Sequence, residues 1–313
     1  MNLGTSVPPT GIAPGQPATR SDQPPAGWRL WWVAIRPRTL TIAVAPVLAG
    51  TALAVADTGR LDLAPMAAAL FGAVAIQAGT NLYNDVGDAL RGGDQPLRQG
   101  PPRLTALGWA SPARVRRAAL IAFGLAALAG LYLAAVGGWP ILALGAASLV
   151  AGWAYSGGPW PIAYTPLGEV FVIAFFGVGA VSGSYWLQAH ALSPAAMISG
   201  AALGLVAAAV LLANNYRDME ADRLAGRRTL AIRMGCEPSK ALYAVLLLLP
   251  FALLASPIGP GYGWIALLAL PLALRLIRRF VTEARGPAFN LILGHTARLE
   301  LVVAALIAVG VGL

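Results

Sequence analysis

The sequence predicts an all-α integral membrane protein in which nine transmembrane helices surround a central cavity. Of its 313 residues, 58% are hydrophobic and only 11% are charged, whereas an average soluble domain is about 25% charged. A helix needs about 20 apolar residues to cross a bilayer, and apolar segments follow one another here with short connections rich in Gly, Pro and Arg. This composition excludes an ordinary soluble enzyme and leaves no room for a large domain outside the membrane.

The chain divides into a polar tail and a membrane domain. Residues 1–27 contain six prolines and no apolar run, so we expect them to form a disordered cytosolic tail. Residues 28–313 are expected to form the nine-helix domain. The apolar segments that predict its spans are 41–56, 63–82, 115–136, 139–155, 166–186, 195–215, 241–256, 262–277 and 298–313.

The distribution of basic residues predicts the orientation of these spans. Loops rich in Arg and Lys are retained in the cytosol. With the N-terminus inside, 21 of the 22 basic residues lie on the cytosolic side, and Arg60 alone lies outside. A wrong number of spans would mix the two sides, so this asymmetry supports both the nine-helix reading and the cytosolic N-terminus.

Acidic residues are concentrated in two short segments, NLYNDVGDALRGGD and NNYRDMEADRLAGRRT, which hold six of the 13 acids. Each segment lies at the predicted cytosolic end of a span, the second and the sixth. The acids are Asp85, Asp88 and Asp94 in the first segment and Asp218, Glu220 and Asp222 in the second. Aligning Asp85 with Asp218 pairs further identical residues, which suggests an internal parallel repeat whose halves face each other across the cavity.

These acids predict a metal site. Positions three or four apart share a helix face, so Asp85 and Asp88 form one stripe and Asp218 and Asp222 another. Two like charges about 4 Å apart repel by roughly 4 kcal/mol at an effective dielectric of 20, which calls for a cation between them. Oxygen ligands without His or Cys favour Mg²⁺, which leaves coordination positions for water and phosphate. The open alternative is that these acids are solvated loop charges in surface salt bridges.

Arginines surround both acidic segments and favour a multiply charged anion such as a diphosphate. A single cysteine, Cys236, cannot form an internal disulfide, and no Cys or His spacing suggests zinc. The basic residues are spread over separate segments without aromatic interleaving, which argues against a nucleic-acid partner. The arginines near the two segments are Arg91, Arg98, Arg103, Arg217, Arg223, Arg227 and Arg228.

At these residues the sequence resembles the UbiA superfamily of intramembrane aromatic prenyltransferases, which carry Asp-rich motifs on the second and sixth of nine helices. The matching segments are RPRTLTIAVAPVLAGTALA, NLYNDVGDALRGGD, YSGGPWPIAYTPLGE and NNYRDMEADRLAGRRTLAIRMG. The Gly-Gly-Asp end of the first motif, the YSGGP segment and the GRRTLA run are similar to the MenA branch, which prenylates 1,4-dihydroxy-2-naphthoate. Two departures are Ala89, where the general motif has an acid, and Arg227, where a Lys is common.

The resemblance implies transfer of a polyprenyl group from polyprenyl diphosphate to 1,4-dihydroxy-2-naphthoate, with loss of CO₂ and diphosphate. It implies two Mg²⁺ ions that bridge the diphosphate, and a bacterial inner membrane whose lipid surrounds the protein. The catalytic residues that it implies are Asp85, Asp218 and Tyr155. The implied metal ligands are Asp85, Asp88, Asp94, Asp218 and Asp222, and the implied substrate-binding residues are Asn81, Asn84, Arg98, Arg103, Tyr155, Ser156, Asn214, Arg217, Arg227 and Arg228.

Several points stay open at the level of sequence. Tyr155 either binds the diphosphate or anchors the membrane interface, and Arg36 and Arg38 either fix topology or hold an anionic substrate. Glu169 either orients the acceptor or pairs with an arginine. The acceptor could instead be 4-hydroxybenzoate, homogentisate or a haem precursor. A membrane transporter is a more remote alternative, because intramembrane acids and repeats also occur in carriers.

Overall fold

The computed structural model describes residues 24–93, 99–257, 259–261 and 263–312, and these residues are helical without a β-strand. Asp94, Arg98 and most of the predicted tail therefore lie outside the described residues. The α-helices are α1 (Trp28–Ile35), α2 (Thr41–Thr58), α3 (Leu63–Leu90), α4 (Pro112–Gly137), α5 (Trp139–Ala154), α6 (Gly168–Val172), α7 (Ala180–Ala189), α8 (Pro194–Arg217), α9 (Met219–Leu224), α10 (Leu230–Met234), α11 (Cys236–Leu254), α12 (Leu270–Thr282) and α13 (Phe289–Val311).

Within the described ranges, seven helical segments are long and apolar enough to cross a membrane. They coincide with seven of the predicted spans, and one of them, Gly168–Ala189, joins α6 to α7 through a π-helical turn at Ile173–Gly179. At the fourth predicted span, α5 is apolar but only 16 residues long. At the eighth predicted span, a 3₁₀ segment, Gly263–Ala269, leads into α12. The multi-pass membrane architecture is confirmed, whereas the count of nine transmembrane helices is not.

Helix α3 extends further than its apolar sequence predicts. The predicted span ends at residue 82, but the helix continues to Leu90. This polar extension carries the first acidic segment, and Asn81, Asp85 and Asp88 within it are buried. Buried polar side chains need hydrogen-bond partners. Neighbouring segments supply these partners to Asn81 and Asp85, which allows the helix to continue beyond its apolar part.

Helix α8 lies at the centre of the fold and is buried along most of its length, from Ala196 to Arg217. Small residues let other backbones approach it closely, as is common in membrane helices. A methyl group on Gly177 of the π-helical turn would lie 2.4 Å from the Gly200 carbonyl oxygen and 2.6 Å from the Gly204 Cα. This glycine contact fixes the π-helical turn against α8.

An aromatic cluster packs α11, the C-terminal ends of α8 and α12 and the N-terminal end of α13 together. The Tyr216 and Phe289 ring centroids are 5.4 Å apart, and the Tyr243 and Phe280 rings stack at 3.9 Å. Tyr216 is the second residue before Asp218, so the cluster holds the second acidic segment at a defined place.

Candidate active site

A cavity of about 920 Å³ lies among α2, α3, α4, α5, the Gly168–Ala189 segment, α8 and the start of α13. Its lining on α3 runs from Ala69 to Asn84, about 22 Å at a rise of 1.5 Å per residue. Most of the lining is apolar. The polar and charged lining residues next to the two acidic segments include Arg36, Arg38, Asn81, Asn84, Tyr155, Asn214, Arg217 and Asn290.

Asp85 is buried and binds a loop instead of facing the cavity. Its Oδ2 accepts a 2.8 Å hydrogen bond from the Leu104 amide, and its Oδ1 accepts a 3.3 Å hydrogen bond from the Thr105 amide and a further one from the Thr105 hydroxyl. These contacts fix the segment between α3 and α4, which contributes Pro101 and Pro102 to the cavity wall.

Asp88 connects the two acidic segments directly. It is fully buried and forms ion pairs with Arg103 and with Arg227. The Arg227 Nε also lies 3.5 Å from the Asp222 Oδ1. Arg227 therefore bridges the first segment and the second across 139 positions of sequence.

The positive charges between these acids are arginines. The described residues contain no group of three or more His, Cys, Asp or Glu side chains arranged to hold a metal ion. The interpretation of Asp88 as a solvated surface charge is wrong, because both partners of its Arg103 ion pair are no more than 2% exposed. Burial, and next the charges of Arg36 and Arg227, lower the pKa of Arg103 from its ordinary value to about 9, so a further anion beside Arg103 would be electrostatically favoured.

Asp218 lies in a second network, at the end of α8. The Arg217 guanidinium binds it bidentately, with Nε 3.0 Å from Oδ1 and Nη2 2.5 Å from Oδ2. Arg217 also donates to Asn214 at 2.8 Å and to Asn290 at 2.7 Å, and the Gln99 amide donates to Asp218 at 3.2 Å. Because Arg217 lines the cavity, this network fixes one cationic group of the wall.

The loop after α5 is bound to the first acidic segment. The Arg91 Nη1 donates to the Ser156 carbonyl at 2.8 Å, and Nη2 donates to the Gly158 carbonyl at 2.6 Å. Gly158 has a φ of 70°, a left-handed conformation that glycine adopts without strain. Tyr155 lines the cavity next to this turn, whereas Ser156 is buried behind it.

The structure brings most of the predicted site residues to one end of the cavity. Asn81, Asn84, Tyr155, Asn214 and Arg217 line it. A layer behind the wall holds the buried side chains of Asp85, Asp88, Arg103, Ser156, Asp218, Asp222 and Arg227. The Arg228 side chain is exposed and does not line the cavity; its backbone amide binds the Tyr164 carbonyl.

Glu169 is buried near Tyr155 and pairs with an amide. The Asn215 Nδ2 donates to its Oε1 at 3.1 Å, and Asn215 directly follows cavity-lining Asn214. Of the two roles left open for Glu169, pairing with an arginine is not found, since the hydrogen-bond partner of its side chain is Asn215. Arg36 and Arg38 both line the cavity, which favours an anion-binding role beside their role in topology.

The donor chemistry of the acids fits Mg²⁺, because carboxylate oxygens are its usual protein ligands. Four of the five predicted ligands, Asp85, Asp88, Asp218 and Asp222, are no more than 3% exposed and lie at the same end of the cavity. In the described state these carboxylates are bound by arginines or backbone amides. A metal ion would therefore share or replace those partners.

A sequence model of the UbiA prenyltransferase family matches residues 43–290. The chain belongs to this family. The match covers both acidic segments and the loop between α5 and α6. As a member of the UbiA family, the chain is a multi-pass membrane prenyltransferase.

Two curated members of the UbiA family are similar over most of the chain. The 1,4-dihydroxy-2-naphthoate octaprenyltransferase of Escherichia coli (strain K12) is 36% identical and covers 90% of this chain and 94% of its own length. The Mycobacterium tuberculosis protein of the same name is 38% identical, and the match covers 80% of this chain and 85% of that protein.

The fold is similar to that of a solved structure. A UbiA homolog from Archaeoglobus fulgidus bound to DMAPP and Mg²⁺ superposes with a TM-score of 0.61 at 17% identity, over 90% of this chain and 99% of the other. At this identity the likeness concerns the UbiA fold alone.

Three residues of this UbiA-family site were not predicted from the sequence. Thr105 binds Asp85, Asn290 binds Arg217, and Tyr164 contacts both acidic segments. Tyr164 lies inside the matching segment YSGGPWPIAYTPLGE, which could have indicated it. Thr105 and Asn290 stand in no motif, and only their packing identifies them.

Proposed function

We propose that this chain transfers a polyprenyl group from polyprenyl diphosphate to 1,4-dihydroxy-2-naphthoate, with release of CO₂ and diphosphate, to give a demethylmenaquinol. The observation that carries the proposal is the 36% identity with the Escherichia coli enzyme of that name over 90% of the chain. The cavity supports it, since a long apolar space ends at a cluster of arginines and amides.

The arginines of the cavity wall are proposed to bind the diphosphate. Arg36, Arg38 and Arg217 line the polar end, and guanidinium groups bind phosphate oxygens with paired, charge-assisted hydrogen bonds. Asn81, Asn84, Tyr155 and Asn214 offer further polar contacts at the same end. Arg103 and Arg227, buried just behind, add positive potential toward the same anion.

The acids are proposed to hold two Mg²⁺ ions. Asp85, Asp88, Asp218 and Asp222 supply the ligands among the described residues, and Asp94 is the fifth candidate. Bound Mg²⁺ would neutralise the diphosphate and stabilise the charge on the departing oxygen. Asp88 and Asp218 already lie against arginines, and metal binding requires the deprotonated form of each carboxylate.

The apolar wall is proposed to protect the reacting carbon. When the carbon–oxygen bond of the donor breaks, the electron pair leaves with the diphosphate and an allylic cation remains, which water would capture in an open site. Phe171, Phe175 and Phe176 line the cavity, and aromatic faces stabilise nearby cations. The remaining length of the cavity would hold the prenyl tail.

The acceptor chemistry needs no base from the protein. The ring carbon that bears the carboxylate forms the new carbon–carbon bond, and the carboxylate leaves as CO₂ while its bonding electrons restore the aromatic ring. No proton is removed from that carbon. In agreement, the described lining of the cavity includes arginines but no His, Asp or Glu side chain.

The site is proposed to face the cytoplasm at the inner membrane of a bacterium. The arginine-rich loops that surround it support this orientation through the retention of positive charge in the cytosol. Single-cysteine labelling tests it: a cysteine placed at Leu61 in a Cys236→Ser background should react with an impermeant maleimide in intact cells, and one placed at Leu224 should not. The reverse labelling pattern would contradict the orientation.

An acceptor panel tests the reaction. Membranes containing the chain are incubated with geranyl or polyprenyl diphosphate, Mg²⁺ and one of 1,4-dihydroxy-2-naphthoate, 4-hydroxybenzoate or homogentisate. We expect prenylated product and labelled CO₂ from the carboxyl-labelled naphthoate alone, and neither from the Asp85→Asn, Asp218→Asn double variant. Turnover of another acceptor but not of the naphthoate would overturn the substrate assignment, and donor uptake without any product would favour a transporter.

A further inference from the structure

Tyr164 lies at the junction of the two acidic segments, although it does not line the cavity. It ends the short helical turn Ile162–Tyr164 in the loop between α5 and α6. Its hydroxyl lies 3.5 Å from the Asp88 Oδ1 of the first segment. Its carbonyl accepts a 3.0 Å hydrogen bond from the Arg228 amide of the second segment.

The Tyr164 ring contacts one guanidinium from each acidic segment. The Arg227 Cζ lies 4.9 Å from the ring centroid, and the Arg91 Cζ lies 5.8 Å from it. Both distances are within the range in which a guanidinium is attracted to an aromatic face. One side chain therefore contacts both halves of the predicted repeat.

The Arg227 guanidinium contacts two carboxylates and one aromatic ring. It pairs with Asp88 and approaches Asp222 at 3.5 Å, and it is 6% exposed. Arginine carries several flexible torsions, so its position depends on packing against its planar group. The ring of Tyr164 supplies that packing, while Arg91 anchors the same loop through the Ser156 and Gly158 carbonyls.

We propose that Tyr164 is a positioning residue that holds Arg227 between Asp88 and Asp222, and so keeps the two acidic segments at the separation that a metal–diphosphate complex needs. The inference rests on the proposed function, because it concerns the same site. Without the ring, Arg227 gains rotamer freedom, and the carboxylates lose the shared cation that offsets their mutual repulsion.

The test compares Tyr164→Phe, which keeps the aromatic face and removes the hydroxyl, with Tyr164→Leu, which removes both. Mn²⁺ binding is followed by electron paramagnetic resonance on the purified, detergent-solubilised chain with geranyl diphosphate present. The concentration of Mg²⁺ for half-maximal turnover and the KM for geranyl diphosphate are measured beside kcat. Tyr132→Leu, a change on an exposed face of α4, is the matched control.

We expect Tyr164→Leu to weaken Mn²⁺ binding and to raise the Mg²⁺ half-saturation about tenfold, from the loss of a cation–aromatic contact. Tyr164→Phe and Tyr132→Leu should stay within about twofold of the parent. Should Tyr164→Leu fail to fold, Tyr164→Met takes its place, because it fills similar volume without an aromatic face.

Three outcomes would overturn the proposal. These are parent-like Mn²⁺ binding in Tyr164→Leu, an equal loss in Tyr164→Phe, and a fall in kcat or melting temperature with unchanged metal and donor constants. Failure of the proposed function would be distinguishable from failure of this inference. If the parent did not prenylate the naphthoate, Mn²⁺ binding could still be compared between the parent and the Tyr164 variants.

Discussion

At the level of single residues, the site is an array of alternating charges. Asp222, Arg227, Asp88 and Arg103 follow one another through direct contacts, and all four are nearly inaccessible. A buried carboxylate that loses its cation is costly, because the remaining charge stays desolvated. Asp88 and Asp222 therefore each depend on a neighbouring arginine for a compensating positive charge.

Removing one acid from each segment tests the site most directly. We expect Asp85→Asn or Asp218→Asn to lower kcat/KM for prenyl transfer at least about a hundredfold, since positioned charge stabilisation typically contributes that much. The amide keeps the shape of the side chain and much of its hydrogen bonding. Steady-state kinetics with geranyl diphosphate and the naphthoate measure the effect.

The control for these variants is Asp57→Asn, in which the changed side chain accepts a 2.7 Å hydrogen bond from the Tyr185 hydroxyl far from the acidic segments. It should retain parent activity. Near-normal kinetics in Asp85→Asn, with a monodisperse protein, would contradict a direct role for the Asp85 carboxylate.

At the level of elements, glycines set the distance between the π-helical turn and α8. Gly177, Gly200 and Gly204 meet backbone to backbone, and the same turn presents Phe175 and Phe176 to the cavity. π-helical turns are frequent at functional sites. The close contact keeps this part of the cavity wall in place.

Gly177→Ala should destabilise the fold. Its added methyl would lie 2.4 Å from the Gly200 carbonyl oxygen, and overpacking of this kind costs about 1 to 3 kcal/mol. A lower melting temperature in detergent, followed by scanning fluorimetry, is the expected result. In Gly124→Ala nothing lies within 4 Å of the new methyl, so an equal loss there would show that the contact with α8 is not the cause.

Helix α5 offers a way to shorten the cavity. Gly145 lines it, and a Cβ at this position would meet no atom within 4 Å. The position is ten residues from Tyr155, about 15 Å along a helix. We expect Gly145→Phe to reduce turnover of long polyprenyl donors at least about tenfold more than that of geranyl diphosphate, because one added aromatic ring excludes the tail from the far end.

Product analysis with donors of two lengths measures this change. Gly124→Phe, on the exposed face of α4, is the control for adding a ring to a membrane helix. Parallel loss of both donors in Gly145→Phe would mean that the residue supports the fold and that the prenyl tail does not extend past it.

At the level of the whole molecule, the cavity runs from the arginines and amides beside the two acidic segments into the apolar interior. On the proposed function, this arrangement would bind the diphosphate at the polar end and hold the prenyl tail in the apolar interior. On that proposal, activity would depend on a divalent metal ion and on the exclusion of water from the reacting carbon.

Metal removal should abolish turnover reversibly. Dialysis against EDTA is expected to stop prenyl transfer, and added Mg²⁺ should restore it, because oxygen ligands bind Mg²⁺ weakly enough for exchange. The melting temperature should change little, since arginines and amides already bind the acids in the described state. Full activity in chelated protein, with less than one metal ion in ten molecules, would contradict the metal-dependent mechanism.

The sequence by itself determined the membrane class, seven of the apolar spans and the two acidic segments. Runs of apolar residues and local spacings are properties of neighbouring positions, and the bilayer imposes the length of a spanning helix. The spans predicted at 63–82 and 195–215 therefore lie within the helices Leu63–Leu90 and Pro194–Arg217, with the acidic segments at the ends of these helices.

The tertiary structure decided which partner each acid has. The repulsion between acids indicated a cation, and the packing placed Arg103 and Arg227 on Asp88. The loop amides of Leu104 and Thr105 bind Asp85, and Tyr164 contacts both segments. Such contacts join positions up to 139 residues apart. They depend on how the helices pack against one another, which no local pattern along the chain records.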